Sequence, residues 1–564
     1  MRSRSRPAPS STGTSPGGDG ASRESRLFLP AVLALLAGMA ALQLTSARQE
    51  SQTFDEGFHL TAGFSYWVKG DFRLNREHPP LSKLAAALPL LFTGAKFPEL
   101  AREWEDGNQY KLSEEFLYNN TVDADQLLFL GRLPGIAMTM ALGLAVAAVA
   151  RAYGPLPALL AVFFFATDPN LLAHGRYVTS DLPVALMIFL AAVTWSKALE
   201  TRRRVHFALA ALALGLALAT KYSALFLLLA HPAAAAVQSW RARRPYPFDA
   251  LALVTAGGLL VVSAVYLPET ARALRAPGLG RLDKLLPEHT DTQKAAKQVA
   301  RDFRLPAHSF LRGALAVIQH NEDGHRSYFL GKTSDRGSHW YFPVAFLVKT
   351  PTAVLAAGAA AVLLARSIPL LALYPVLYFA LSMSSQINIG IRHLLPVYPF
   401  LFVAIAAAAA RLGRSRWRRA ALAAGLSLCL TQAVEVARIS PYYLAFFNTL
   451  AGGPEAGRFY LADSNLDWGQ DAKRLGQWMK ANHVPRICAS YFGSANLDYY
   501  GVAYDQIPAP PPEIPDCIAA VSVTNLQDVY TPPNGHAWAR KRQPFAHIGH
   551  SIFLYDLRTD RNKR

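Results

Sequence analysis

Apolar runs of about 17 to 24 residues, rich in Ala, Leu, Val and Phe, recur along most of this chain and alternate with short polar stretches. One helix of that length crosses the roughly 30 Å hydrocarbon core of a bilayer. The pattern therefore predicts a multi-pass α-helical membrane protein with about eleven transmembrane helices. We place these spans at residues 27–44, 127–149, 155–173, 182–198, 206–220, 222–239, 249–267, 342–365, 367–384, 394–410 and 420–437.

The arginines between these spans indicate their orientation. If the amino terminus lies inside and the spans alternate, every short arginine-rich loop falls on the cytoplasmic side, where membrane proteins accumulate Lys and Arg. These loops contain Arg151, Arg202 to Arg204, Arg241 to Arg244, Arg366 and Arg411 to Arg419. The first span resembles a signal peptide, but so many spans follow it that we predict an uncleaved anchor.

Polar segments divide the chain further. Residues 1–26 are rich in Arg, Ser, Pro and Gly and are predicted to be a disordered cytoplasmic tail. Residues 27–450 form the transmembrane core, which contains two large external loops at 45–125 and 268–341. Within the first loop, the apolar stretch 81–92 is too short to span a membrane, so we expect it to lie at the interface.

Residues 451–564 differ in character from the core. A helix is predicted at 470–482, and strand-like runs occur at 487–492 and 518–524. These elements indicate a small α/β domain on the external side.

Composition narrows the class of protein. With 52% hydrophobic and 17% charged residues, the chain is too apolar for an ordinary soluble enzyme. Its net charge of +18 is spread over the loops without a nucleic-acid-binding motif, so we expect no nucleic-acid partner. Two of the three cysteines, Cys488 and Cys517, lie in the external domain, where a disulfide and two buried thiols both remain open.

The densest chemistry follows the first span, in TFDEGFHLTAGFSYWVKGDFRLNREHPPLSK. Asp55 and Glu56 are adjacent, and His59 and His78 follow. Polar side chains close to lipid must find partners, so a loop of this kind indicates function. For Glu56 the structural alternative is a capping box with Thr53, whereas Asp55 has no such task.

Other polar residues occur at the external ends of later spans. They are Arg132, His174, Arg176, Asp181, Lys221, Arg392 and His393. Any one of them has the alternative of an anchor that reaches the membrane surface. Together, several cations facing two carboxylates predict a site that binds an anion and activates a hydroxyl.

A membrane enzyme that transfers sugar from a polyprenyl phosphate needs this set of groups. A carboxylate takes the proton of the acceptor hydroxyl as general base. Prepositioned cations meet the negative charge that develops on the leaving phosphate. The sequence therefore predicts a lipid-linked sugar donor and an acceptor that is a protein, a lipid or an envelope glycan.

Several motifs resemble a known family. FDEGFHLTAGFSYWVKGD with EHPPLSK, then GRLPG, HGRYVTSD, TKYSALF and IRHLLPVYPF, are similar to landmarks of type C glycosyltransferases of the protein O-mannosyltransferase and aminoarabinose transferase group. SYFLGKTSDRGSHWYFPVAFLVKTP, SPYYLAFFNTLAGGPEAG and DSNLDWGQD resemble one bacterial subgroup. The resemblance covers nearly everything after the tail.

The resemblance implies the type C glycosyltransferase fold and an inverting transfer from a polyprenyl-phosphate sugar, at the external face of a bacterial inner membrane. Carried onto this chain, Asp55 is the base and Glu56 is the neighbour that shapes the catalytic site. His59, His78, Arg132, His174, Arg176 and Asp181 bind substrate, and Lys221, Arg392 and His393 bind the donor phosphate. The eukaryotic members carry a β-trefoil domain for which 268–341 is too short, so the acceptor and the sugar stay open.

Two other classes of protein fit the sequence less well. A polytopic transporter or lipid-linked sugar flippase is expected to carry charges near the bilayer midplane, whereas these charges cluster at one face. A receptor or scaffold leaves Asp55, Lys221 and Arg392 without a task. No cofactor is predicted with certainty, and a divalent metal is left open because His320, His325 and His339 share one external segment without standard ligand spacing.

Overall fold

The computed structural model describes residues 18–275, 307–365 and 369–558. The chain is predominantly helical, as its apolar runs predict. The helices of the amino-terminal half are α1 Gly18–Ala47, α2 Glu56–Lys69, α3 Leu81–Ala87, α4 Ala101–Asp106, α5 Gln109–Tyr118, α6 Ala124–Ala150, α7 Pro155–Ala166, α8 Pro169–His174, α9 Asp181–Thr201, α10 Arg204–Leu218, α11 Leu227–Ala242, α12 Phe248–Val265 and α13 Leu267–Arg275.

The second half mixes helices with short strands. Its helices are α14 His308–Asp323, α15 Tyr341–Lys349, α16 Thr352–Leu363, α17 Leu373–Met383, α18 Tyr398–Gly413, α19 Arg418–Ile439, α20 Gly453–Gly457, α21 Ala472–Ala481, α22 Val523–Leu526 and α23 Ala537–Arg540. Its strands are β1 Ser327–Phe329, β2 Lys332–Ser334, β3 Ile487–Ser490, β4 Tyr504–Gln506, β5 Ile518–Ser522, β6 Ala546–Ile548 and β7 Ile552–Asp556.

Within the described residues, 7 helices are long and apolar enough to cross a membrane. They are Arg26–Ala47, Ala124–Tyr153, Asp181–Thr201, Tyr222–Ala242, Phe248–Val265, Ile391–Gly413 and Arg418–Ile439. Four helical regions predicted as spans are shorter or bent, so the count of about eleven remains a prediction.

Local chemistry explains where the predicted spans are interrupted. The predicted span 155–173 ends early because Asp168 caps a new helix, accepting hydrogen bonds from the amides of Asn170 and Leu171. The predicted span 342–365 bends by 115° between α15 and α16, where Pro351 cannot donate to a continuous helix.

The membrane-type helices have a buried face and an exposed apolar face. Helix α9 packs against α6, α10 and residues 391–397 and is the most enclosed of the long helices. By contrast, α12 and α19 expose large leucines, among them Leu260 and Leu426. Exposed leucines on helices of this length are typical of contact with lipid.

The carboxy-terminal strands form a 5-stranded sheet in the order β4-β3-β5-β7-β6. Strand β3 is parallel to β4 and to β5, while β7 is antiparallel to β5 and β6. Helix α21 packs on this sheet through Leu475 and Met479. The helix and the two strands predicted in this region are confirmed, and the division of the whole chain into domains stays a prediction.

Cys488 and Cys517 form a disulfide that joins β3 to the residue before β5, with their Cα atoms 6.2 Å apart. At the other end of the chain, α1 begins at Gly18, so the tail predicted to end at residue 26 is helical over its last part. The rest of that predicted tail, Arg366 and residues 276–306 of the second external loop lie outside the described residues.

Candidate active site

Asp55 and Glu56 lie at the start of α2, where the chain leaves α1 and turns back. Asp55 is the N-cap residue, but its side chain makes no capping hydrogen bond. Its carboxylate is 23% exposed and lies 2.9 Å from Nη1 of Arg392. The Asp55 side chain therefore has no helix-capping task and keeps some contact with solvent.

Glu56 is enclosed instead. One carboxylate oxygen accepts from Nη2 of Arg132 at 2.7 Å and from the Thr53 amide at 2.8 Å. The other accepts from Nε of Arg132 at 2.8 Å and from the Val178 amide at 2.9 Å. Glu56 thus bonds the Thr53 amide, but Asp55 is the N-cap of α2 and the Thr53 hydroxyl has no partner among the described residues, so the predicted capping box does not form. A carboxylate with four donors is held in place and offers little to a substrate.

Arg132 is equally satisfied by protein groups. Besides Glu56, its guanidinium donates to the carbonyl oxygens of Ala47 at 2.6 Å and Ser51 at 2.9 Å. Its side chain is 1% exposed. The structure thus places Arg132 behind Glu56, where it ties α6 to the turn after α1.

Arg176 has a similar position. It pairs with Glu50, with an Nη2 to Oε1 distance of 2.7 Å, and Arg474 of α21 lies 3.5 Å from the same oxygen. Burial alone raises the pKa of Glu50, but Arg176 and Arg474 outweigh it and hold that pKa below its usual value. This buried cluster fastens α21 to the transmembrane core, and Glu50 was not singled out from the sequence.

A second charge network lies beside Asp55. Asp181, at the start of α9, pairs with Lys221 and lies 3.6 Å from Nη1 of Arg392, the nitrogen that also contacts Asp55. Four residues from four different parts of the chain therefore meet, as the sequence predicts. Lys221 follows α10, and Arg392 lies just before α18.

Three histidines line this network. The rings of His59 and His78 are 4.9 Å apart, and the ring of His174 is 6.0 Å from that of Trp468. Burial lowers the pKa of His59 and His78 well below the usual range and that of His174 to about 3. All three are therefore neutral near pH 7 and can accept or donate one hydrogen bond through each ring nitrogen.

Several buried polar atoms at the site have no hydrogen-bond partner among the described residues. They are Nδ1 of His59, His78 and His174, Oδ2 of Asp181 and Nε of Arg392. Buried polar atoms are nearly always paired, so a group of unpaired ones around a charge network indicates a place for a polar ligand. His393 is buried, interacts electrostatically with Asp181, Lys221 and Arg392, and stacks on Phe342 with 6.1 Å between ring centroids.

The carboxy-terminal segment supplies residues that sequence reasoning missed. The ring of Trp468 lies under the guanidinium of Arg392, 4.3 Å away. Asp463 accepts a hydrogen bond from the Tyr530 hydroxyl at 2.5 Å, and burial raises its pKa to about 6. The signal was the acidic and aromatic run DSNLDWGQD, which resembles the family but had no role attached to it.

Lys83 is a further residue without a predicted role. Its ammonium is fully buried and donates to the carbonyl oxygens of Asn75 and His78 at 2.6 and 2.7 Å and to the Tyr66 hydroxyl at 2.8 Å. It therefore fixes the loop that carries His78.

In the described part of the chain, no group of three or more His, Cys, Asp or Glu residues is arranged to bind a metal ion. His320 and His325 do meet, with 3.0 Å between ring nitrogens, whereas His339 contacts the carbonyl oxygen of Met383.

A family model described as dolichyl-phosphate-mannose-protein mannosyltransferase matches residues 125–267, which are 143 of the 564 residues. The predicted family resemblance is confirmed over these residues. The matched region includes Arg132, His174, Arg176, Asp181 and Lys221. No sequence match to a curated protein reaches significance.

Three solved structures are similar to this chain at low identity. ArnT from Cupriavidus metallidurans bound to undecaprenyl phosphate has 12% identity and a TM-score of 0.44, over 93% of this chain and 97% of that one. The Saccharomyces cerevisiae Pmt1-Pmt2 complex bound to the sugar donor has 12% identity and a TM-score of 0.45, over 85% and 94%. The Archaeoglobus fulgidus oligosaccharyltransferase has 11% identity and a TM-score of 0.45, over 81% and 58%.

Proposed function

We propose that this chain is an inverting membrane glycosyltransferase that moves a sugar from a polyprenyl-phosphate donor to a hydroxyl of an acceptor. The observation that carries the proposal is the part-exposed carboxylate of Asp55 beside Arg392, Asp181 and Lys221. The family match to residues 125–267 supports the same reaction class.

Asp55 is the proposed general base. Its carboxylate keeps some contact with solvent, and Arg392 orients it. As the acceptor oxygen attacks the anomeric carbon, its O–H bond breaks and the proton passes to Asp55. The bond between the anomeric carbon and the phosphate oxygen breaks at the same time, and attack from the opposite face inverts the configuration.

Lys221 and Arg392 are the proposed partners of the donor phosphate. Lys221 bonds Asp181 and has two further N–H donors, while Nε of Arg392 has no partner among the described residues. The leaving polyprenyl phosphate gains negative charge in the transition state, and fixed cations in a dry site stabilise it. His393, the third predicted phosphate ligand, stacks on Phe342 and interacts electrostatically with Lys221 and Arg392.

The remaining site residues divide into two groups. His59, His78 and His174 present unpaired nitrogens and are proposed to bind the sugar or the phosphate. Glu56, Arg132 and Arg176 form their hydrogen bonds with other protein groups. We propose that these three residues position the loop that carries Asp55. A divalent metal is not required by this scheme.

We place the site at the external face of a bacterial inner membrane. Asp181 begins α9 and Arg202 to Arg204 follow its end, so a helix of 21 residues, about 30 Å long, separates the site from an arginine cluster. Arginine clusters mark the cytoplasmic side. The same orientation accounts for about eleven spans if the shorter and bent helices also cross.

The Asp55→Asn variant tests the proposal. Asn keeps the size and most hydrogen bonding of Asp but has no usable basicity, so transfer should fall by about 100-fold or more while insertion and donor binding persist. The measurement is transfer from a polyprenyl-phosphate sugar by purified protein in nanodiscs, with donor binding measured in parallel. Glu105→Gln, which changes an exposed carboxylate of the same loop, is the matched control and should keep full activity. Transfer by Asp55→Asn above about a tenth of the wild-type rate would refute the assignment.

A further inference from the structure

A cleft of about 630 Å³ opens between the first external loop and the carboxy-terminal sheet. Phe54, Phe58 and Tyr110 line one wall, and Tyr491, Tyr504 and Gln506 line the other. The two walls come from segments that are about 400 residues apart in the chain, and only the docking of the sheet onto the loop creates the space.

The cleft adjoins the turn that carries the proposed base. Phe54, which lines it, is the residue immediately before Asp55. From the opposite wall, Ser494 donates a hydrogen bond to the Phe54 carbonyl oxygen at 2.8 Å. The ring of Phe492, which does not line the cleft, stacks on the Phe54 ring with 5.4 Å between centroids. A molecule in the cleft would therefore lie against the backbone that positions Asp55.

The lining suits a ligand without negative charge. Lys111 is its only cationic residue among those described, and Glu114 pairs with it at 2.9 Å. The rest of the lining combines aromatic rings and hydroxyl and amide groups with the carboxylate of Asp498, which can accept hydrogen bonds from sugar hydroxyls. Rings pack on the apolar faces of sugar rings, while amides and hydroxyls exchange hydrogen bonds with sugar hydroxyls.

The strand that lines the cleft contributes two side chains from one face of the sheet. Tyr504 and Gln506 are two residues apart on β4, so both point to the same face of the sheet. An extended peptide that added a strand would instead need the free main-chain groups of the edge. The face of the sheet therefore favours recognition through side chains, which suits a carbohydrate.

We propose that this cleft binds the acceptor and that the acceptor is a neutral carbohydrate chain whose terminal hydroxyl reaches Asp55. The inference rests on the proposed function and adds the class of acceptor to it. It also separates the two substrates, because the donor phosphate lies on the side of Lys221 and Arg392 while the acceptor enters beside Phe54 and Tyr110.

A photocrosslinking probe tests the proposal in the full-length protein within cells. A p-benzoylphenylalanine in place of Tyr110, whose side chain is 60% exposed, should capture whatever occupies the cleft on irradiation. Mass spectrometry of the peptide from 103 to 111 then identifies the adduct. We expect carbohydrate mass increments, and we expect none from the same probe in place of Phe545, an exposed ring outside the cleft.

A second variant tests whether the crosslink at position 110 depends on binding in the cleft. Gln506→Ala removes an exposed amide from the opposite wall and should lower the crosslink at position 110 by about tenfold, the effect of losing a neutral hydrogen bond of about 1.4 kcal/mol. Adducts that are peptides or lipids, or a yield at 110 no higher than at 545, would overturn the proposal.

The Asp55→Asn background distinguishes failure of this inference from failure of the proposed function. A carbohydrate adduct that persists in Asp55→Asn cells upholds the cleft whether or not Asp55 is the base. Loss of transfer in Asp55→Asn together with a peptide adduct upholds the base and overturns the carbohydrate acceptor.

Discussion

Asp55 and Glu56 are neighbours in the sequence but have different surroundings, because successive residues at the start of a helix point in different directions. Asp55 faces the Lys221, Asp181 and Arg392 network and keeps contact with solvent. Glu56 faces inward, is fully buried and is bonded to Arg132. A carboxylate that exchanges protons needs the first environment, and one that holds a loop needs the second.

The phosphate role of Lys221 and Arg392 can be tested residue by residue. Removing one charge-assisted contact costs about 1.5 to 3 kcal/mol, so Lys221→Ala should weaken use of the polyprenyl-phosphate sugar by about 10- to 100-fold. Arg392→Ala should have at least that effect, because Arg392 also orients Asp55. The readout is the donor KM and the donor Kd in nanodiscs.

Lys197→Ala provides the control for this pair. Lys197 is an exposed lysine near the far end of α9 that pairs with Glu200, so its loss should leave donor use unchanged. Wild-type donor kinetics in both Lys221→Ala and Arg392→Ala would exclude the phosphate role.

At the scale of elements, the segment from Asp463 to Asp471 completes the site. Its backbone bonds the turn before α2, since the Ser51 amide donates to the Gln470 carbonyl oxygen at 3.1 Å and the Phe54 amide to the Trp468 carbonyl oxygen at 2.8 Å. The same segment puts Trp468 under Arg392. The sheet is thereby coupled to the geometry around Asp55.

Asp467 in this segment predicts a pH dependence of stability. It is fully buried, and burial raises its pKa to about 8, although the Thr524 amide donates to it at 2.8 Å. A carboxyl group whose folded pKa is raised stabilises the fold below its unfolded pKa and loses that contribution as pH rises through the folded value, at about 1.4 kcal/mol per pKa unit.

The thermal melting temperature in detergent should therefore fall more steeply between pH 5 and about 8 for the wild type than for Asp467→Asn, which cannot ionise. Asp505→Asn, at an exposed carboxylate of the same sheet region, should follow the wild-type curve. Parallel curves for wild type and Asp467→Asn would show that Asp467 does not titrate in this range.

At the scale of the whole molecule, the shared face of the site depends on orientation. Reporter fusions at Gly107, Gly313 and Gly535 should all report an external location, because only that orientation puts the arginine loops inside. A fusion at Arg203 should report a cytoplasmic location and serves as the internal control. A cytoplasmic signal at any of the three glycines would separate the predicted site residues between two faces of the membrane.

The class of protein and several residues of the candidate site could be predicted from the sequence. Apolar runs of membrane length determine a helical membrane protein, because backbone polar groups in lipid must be satisfied within each helix. The polar residues at the ends of those runs, Asp55, Asp181, Lys221 and Arg392, could be selected because charges are costly there. Helix α21 and strands β3 and β5 were also predicted from local patterns.

Tertiary structure alone decided which charged side chains lie beside Asp55 and which pair with other protein groups. Arg132 pairs with Glu56, at a sequence separation of 76 residues, and Arg176 pairs with Glu50, at a separation of 126. Both arginines therefore stabilise the fold, although they lie at the ends of predicted spans as Lys221 does. Asp463 and Trp468 reach the site only because the carboxy-terminal segment docks on the turn after α1. Hydrophobic pattern and capping are properties of neighbouring residues, whereas the partner of a buried charge is set by packing between distant segments, which no local pattern records.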